Sequence, residues 1–145
     1  MSNNSEKNFF YINFQILKKY KEFMAEALVD LNLIPAEIDV LTFLINNEGK
    51  NITASEISQN RGISKGLVSR AVNSLKGKKI IETIENPQDG RSVYLKIMDN
   101  ENNLIKEIKK ANEKFINILL EDIDSKNLHL FLNINTKMLN NLNHL

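Results

Sequence analysis

Between Thr53 and Ile97 the chain changes its hydrophobic period from helical to extended, and each change is punctuated by a residue suited to it. Thr53 opens "TASE", a capping box in which Glu56 can reach back to the Thr53 backbone, so a short helix starts there. Gly62 closes that helix, and Ser64 is placed to cap the next, "SKGLVSRAVNSLK", which is expected to stop at Gly77. "KIIETIE" and "RSVYLKI" then alternate with period two on either side of "NPQDG", the pattern of a β-hairpin. On its second strand Val93, Leu95 and Ile97 point one way, with Ser92, Tyr94 and Lys96 opposite. Pro87, Asp89 and Gly90 suit the backbone of a tight turn. Arg91 has no such explanation.

Helices flank this segment. "NFFYINFQILKKYKEFMAEAL" carries apolar side chains at steps of three and four, which predicts a long amphipathic helix. Pro35 suits the first turn of a second helix, "AEIDVLTFLINN", continuing to Gly49. From Asp99 a long helix runs through Leu104, Ile108, Ala111, Phe115 and Leu119; "DIDS" breaks it, and Ser125 can cap a last helix through Leu142. With no repeat and no long linker, the 145 residues are expected to form one domain: a core of about 33–98 between helical segments of about 5–30 and 100–144. Ile116, Ile118, Leu119, Leu120 and Ile123 lie nearly all round one helix end, more apolar surface than a single copy can cover. The order helix, short turn, helix, hairpin is that of a winged helix-turn-helix. The expected fold is therefore mainly α, with a small antiparallel β-wing and flanking N- and C-terminal dimerisation helices.

Several function classes find no support in these residues. Without cysteine there is no disulfide, thiolate zinc site or thiol redox switch. His129 and His144 stand far apart on the last helix, so they read as surface or interface residues and no metal is expected. No glycine-rich phosphate loop and no nucleophile motif is present, so neither catalytic residues nor a cofactor are expected. No stretch approaches the roughly 20 apolar residues of a membrane span. "MSNNSEKNFF" lacks a basic segment followed by an apolar run, so no signal peptide is expected and the cytoplasm is the default.

Charge is distributed unevenly. Residues 50–96 hold nine Lys or Arg against four Asp or Glu, the remainder ten against fourteen, and all three arginines (Arg61, Arg70, Arg91) fall in the basic segment. Such a centre suits an anionic partner such as double-stranded DNA. Along residues 64–76, Leu67, Val68, Ala71, Val72 and Leu75 share one arc of about 140°. Gly66, Ser69, Arg70 and Asn73 fall opposite, and the polar face of residues 65–76 extends from Lys65 to Lys76. Arg can make a bidentate contact to guanine, Asn to adenine, and Ser to a base or phosphate, while Gly66 leaves room for close approach. An arginine at a turn beside such a helix can enter the narrow, electronegative minor groove, and Asp89 can pair with Arg91 to hold it extended.

"ENPQDGRSVYLKI" resembles the wing of the MarR family of bacterial transcription regulators, whose pattern is a proline, then Asp-x-Arg, then an alternating strand. "ISKGLVSRAVNSLKGKKII" resembles that family's recognition helix and the start of its wing, "LNLIPAEIDVLTFL" its second helix, and the outer helices its dimerisation helices. The resemblance implies a homodimer on a pseudo-palindromic operator, usually repressing and often released by a small anionic or phenolic ligand. Carried over by position, Arg91 would be the minor-groove arginine and Asp89 its partner, with Ser64, Lys65, Ser69, Arg70 and Asn73 facing the major groove. Many members have a basic residue where this chain has Gly90, which implies weaker or more salt-sensitive anchoring of the wing. A competing reading is a winged-helix module for protein–protein contact, such as an anti-repressor. It would need exposed apolar anchors on the face of residues 65–76.

Overall fold

The computed structural model describes residues 3–145, with side chains from residue 8 onward. The expectation about the extreme N-terminus falls partly on Met1 and Ser2, outside the described residues. Among those described, six α-helices and a two-stranded antiparallel sheet follow one another. They are α1 (Asn3–Ala27), α2 (Pro35–Asn46), α3 (Ala54–Arg61), α4 (Lys65–Gly77), β1 (Ile81–Glu85), β2 (Val93–Ile97), α5 (Asn102–Leu119) and α6 (Ser125–Leu142). The predicted fold class, mainly helical with a small wing, is the one observed. The chain divides into two compact units, one ending at Glu113 and the other Lys114–Leu145.

In the first unit α2 is the centre. Val40 and Leu41 are fully buried among Ile57 of α3 and Ala71 and Leu75 of α4, also fully buried. Pro35 opens α2 where its missing N–H costs nothing, and the Glu37 carboxylate accepts the Ile34 N–H at 3.3 Å. The helix ends at Asn46, short of Gly49. Both the backbone and side-chain nitrogens of Asn47 donate to Phe43 O (3.2 and 2.8 Å), satisfying a terminal carbonyl, and Gly49 makes the following turn at φ 83°. The predicted box before α3 is formed: the Thr53 N–H donates to Glu56 Oε2 at 2.9 Å, and the Glu56 N–H to Thr53 Oγ1 at 3.3 Å. Gly62 takes the left-handed position after α3, and Ser64 Oγ accepts the Leu67 N–H at 3.2 Å to cap α4.

Gly77 does not stop α4. The helix includes it, and Lys79 supplies the left-handed residue (φ 59°), with the Ile80 N–H returning to Leu75 O at 3.0 Å. Lys78, just past the helix, sends Nζ to the Glu37 carboxylate (2.9 and 3.2 Å) and to Asn32 O (3.2 Å). Ser74 Oγ donates to the same carboxylate at 3.4 Å. Glu37 is only 1% exposed, so the end of α4 is fastened to the start of α2 by a carboxylate withdrawn from water.

β1 and β2 pair in register from Ile81↔Ile97 to Glu85↔Val93, and Leu95 also forms a bridge with Ile52, its N–H reaching Ile52 O at 2.8 Å. Leu95 is buried and Ile97 half-buried as the alternation predicts. Val93, on the same face, is exposed because the wing has left the core by that point.

Much of the apolar surface of α1 and α6 is uncovered. On α1, Met24 and Leu28 just beyond its end are buried, but Phe10, Tyr11, Ile12, Phe14 and Leu17 are exposed. In the second unit, α6 has no buried residue, and Leu130, Phe131, Leu132, Leu139 and Leu142 lie open. Its cap is Asp124, one residue before the expected Ser125: Asp124 Oδ1 accepts the Asn127 N–H at 2.7 Å, and Ser125 is the first helical residue. No helix among the described residues is long and apolar enough to cross a membrane.

Candidate nucleic-acid interface

The buried stripe of α4 is Val68, Ala71, Val72 and Leu75, which turns the opposite side of the helix outward. Ser64, Lys65, Gly66, Ser69, Arg70, Asn73 and Lys76 are all exposed on or beside that outward side. Ser64 uses its oxygen lone pair to cap Leu67, and its hydroxyl proton stays available to donate. Gly66 is not required by the fold. Its φ is ordinary, and a Cβ there would meet nothing within 4 Å. Neither backbone geometry nor packing therefore calls for a glycine in this first turn of α4.

Leu67 departs from expectation. The periodicity groups it with the core arc, yet it is 43% exposed while Val68 is 1% exposed. It lies at the edge of the stripe, one turn before Arg70 and three residues from the cap. The outward side of α4 therefore carries one exposed large apolar residue among polar neighbours. That is no apolar patch of the kind a protein-docking face would need.

The wing tip is shaped by two side chains that mimic backbone. Asn86 Oδ1 accepts the Gln88 N–H at 3.0 Å, and Asp89 Oδ1 accepts the Arg91 N–H at 3.0 Å. Asn86 Nδ2 also donates to Ser92 Oγ at 3.0 Å, closing the turn across its base. Asp89 thus holds Arg91 through the main chain in place of the expected contact to its guanidinium, which is exposed and has no ion-pair partner among the described residues. Gly90, by contrast, has an ordinary φ and open space at its Cβ position, so the turn does not demand glycine there.

The basic segment divides into cations paired within the fold and cations left exposed. Arg61, grouped with the other arginines by position, is half-buried; its guanidinium lies 5.9 Å from the Phe43 ring centroid and faces Tyr20 and Asp39. Burial pushes the Tyr20 phenol up, with Arg61 opposing, and pushes the Asp39 carboxyl up against the pull of Lys21 and Arg61. Tyr20 also donates to Asn112 Oδ1 at 2.9 Å. Lys78 belongs to the Glu37 pair, and Lys96 lies 3.6 Å from Asp99. Among the described residues Lys65, Arg70, Lys76 and Arg91 form no ion pair, so no described carboxylate neutralises the cations on α4 and at the wing tip. Among the described residues no group of His, Cys, Asp and Glu is arranged to hold a metal.

Residues 31–92, from the turn before α2 to the wing tip, match the model of the MarR family. The transcriptional regulator YdgJ of Bacillus subtilis is 23% identical over 110 residues, covering 76% of this chain and 66% of that protein, just under two thirds of its length. The transcriptional regulator BilQ of Clostridioides difficile is 24% identical over 133 residues, covering 87% of this chain and 88% of BilQ. In three dimensions, the DNA-binding conformation of MepR from S. aureus superposes with a TM-score of 0.82 at 18% identity, over 92% of this chain and 98% of MepR. Proteins of the matched family are transcription regulators, not enzymes.

Proposed function

We infer that this chain belongs to the MarR family of DNA-binding transcription regulators, and that it acts as a homodimer on a pseudo-palindromic operator and represses transcription in the cytoplasm. The observations that carry this reading are that Ser69, Arg70 and Asn73 are exposed on one side of a capped helix, and that Arg91 is exposed at the wing tip with no ion-pair partner among the described residues. Arg70 and Asn73 supply the bidentate geometries that read guanine and adenine in the major groove, and Ser64, Lys65 and Lys76 supply phosphate contacts. Gly66 lets the α4 backbone approach the duplex. Arg91, positioned by Asp89, suits the minor groove beside it. The uncovered apolar residues of α1 and α6 support a second copy as partner, and the family resemblance adds a small anionic or phenolic molecule as the ligand class that would release DNA.

Two arginine variants test the DNA reading. Arg91→Ala is expected to lower affinity across a set of related operators with little reordering among them, because the minor groove reports mainly its width and A·T content. Arg70→Ala is expected to cost about 1–3 kcal/mol on the parent operator and to relax the preference at one base position. Both should keep the parent's melting temperature, since neither side chain belongs to the buried stripe. Binding curves against single-base substitutions decide; an Arg91→Ala protein that binds like the parent would remove the wing from the interface. For the oligomer, light scattering at micromolar concentration should give twice the chain mass. A well-folded monomer would defeat the dimer, because an obligate interface above about 2,000 Å² does not come apart at that concentration.

A further inference from the structure

We propose that Leu67 is a base-reading residue, and that it selects thymine at one position of each half-site through the thymine methyl group. The proposal rests on the DNA-binding reading above and adds to it an apolar determinant. Leu67 is the third residue of α4, and its N–H is held by Ser64 Oγ at 3.2 Å, so its backbone is fixed by the cap. Its exposure of 43%, against 1% for Val68 and none for Ala71, shows that the helix stripe has rotated away from it. Helical side chains lean toward the helix N-terminus, so Leu67 covers the leading turn of α4. In helix-turn-helix proteins that leading turn is the part that meets base edges. Arg70, three residues on, lies next to it on the same side of the helix, so a base read by Arg70 would neighbour the one under Leu67.

The chemistry of the groove then narrows the target. Thymine alone of the four bases presents an apolar group, its C5 methyl, in the major groove; the others present donors or acceptors there. Leucine has no hydrogen-bonding group, so over the N4 amine of cytosine or the O6 of guanine it would displace water and return nothing. Its neighbours one turn away on α4 are Ser64 and Arg70, both polar and exposed, and Ala71, which is buried, so Leu67 does not extend into a wider apolar patch along α4 that another protein would cover.

Deoxyuridine differs from thymidine only by that methyl, which makes the test specific. An operator recovered by selection from random DNA is remade with each thymine of a half-site replaced in turn by deoxyuridine. Binding is then measured for the parent, Leu67→Ala and Leu67→Met. Burial of one methyl corresponds to about fourfold in affinity, so the parent should weaken about fourfold at one thymine per half-site. Replacing that thymine in both half-sites together should weaken a dimer about fifteenfold. Leu67→Ala should be indifferent to the replacement, and Leu67→Met should keep the preference. A parent that tolerates deoxyuridine everywhere, or a Leu67→Ala protein with the parent's sensitivity, overturns the assignment while leaving the regulator reading in place. Failure to recover any DNA would overturn the regulator reading and Leu67 with it.

Discussion

Lys78→Met should destabilise the protein by about 3 kcal/mol, the lower part of the range expected when one partner of a buried ion pair is removed. The Glu37 carboxylate is 1% exposed, and after the substitution it would keep only the Ile34 N–H (3.3 Å) and the long Ser74 hydroxyl contact (3.4 Å). A carboxylate so withdrawn from water has no cheap alternative to its ammonium partner. The Lys78 side chain itself is 37% exposed, and water reaching that end of the pair keeps the loss below the upper limit. The double variant Glu37→Gln with Lys78→Met removes the charge along with its partner and should recover most of the difference. Urea unfolding at one fixed protein concentration measures both, since a dimer's stability depends on concentration. A Lys78→Met protein within about 0.5 kcal/mol of the parent, the range of an ordinary surface substitution, would mean that the pair contributes nothing. The pair also bears on DNA binding. It fixes the C-terminal end of α4 against α2, and the angle of α4 decides which side chains reach the groove.

That pair also marks where local sequence signals stop. Thr53–Glu56, Ser64, Gly62 and the hairpin around residues 86–92 are legible because each is a short-range device, with both partners within a few residues of one another. Glu37 reads in sequence as an acid in the first turn of a helix, usually a solvated position. Nothing near it signals that Lys78, forty-one residues on, will cover it. Arg61 likewise counts as basic surface until the fold brings Tyr20, Asp39 and Phe43 around it. Leu67 fails for a subtler reason. An arc of about 140° is wider than the strip that α2 and α3 can cover, so a residue at its edge is left out. At Gly77 and Ser125 the error is a single residue, within the fraying expected of helix ends. At Gly77 the left-handed position passed to Lys79, and at Ser125 Asp124 took the cap. Arg91 was conspicuous because turn geometry gives no reason for it, and the structure still gives none within the chain. Gly90 moves into the same class, since its backbone needs no glycine.

Raising the salt from about 50 to about 200 mM should weaken operator binding on the order of 10³-fold, which is the largest effect expected of this protein. The exposed cations on α4 and the wing that form no ion pair among the described residues are Lys65, Arg70, Lys76 and Arg91. With Arg70 assigned to a base, three remain per protomer for phosphates or the minor groove. A dimer placing about six on the duplex would show a slope near −5 in log affinity against log salt. Had Arg61, Lys78 and Lys96 been free as well, the slope would be about twice as steep, so it also tests which cations the fold has already paired. Gly90 offers a control in the opposite direction. Its Cβ position is open and its backbone ordinary, so Gly90→Lys should fold as the parent does and add about one phosphate contact per protomer. The slope of a dimer should then steepen by about 2, with tighter binding at low salt. Lys65→Ala should flatten the slope by a similar amount without changing base preference, because a phosphate contact carries no sequence information. Titrations of labelled operator at four or five salt concentrations give the slopes directly. A slope shallower than about −2 for the parent would mean that the unpaired cations do not lie on DNA. A Gly90→Lys slope equal to the parent's would mean that the wing tip does not approach the phosphates, and Arg91 could not then occupy the minor groove beside it.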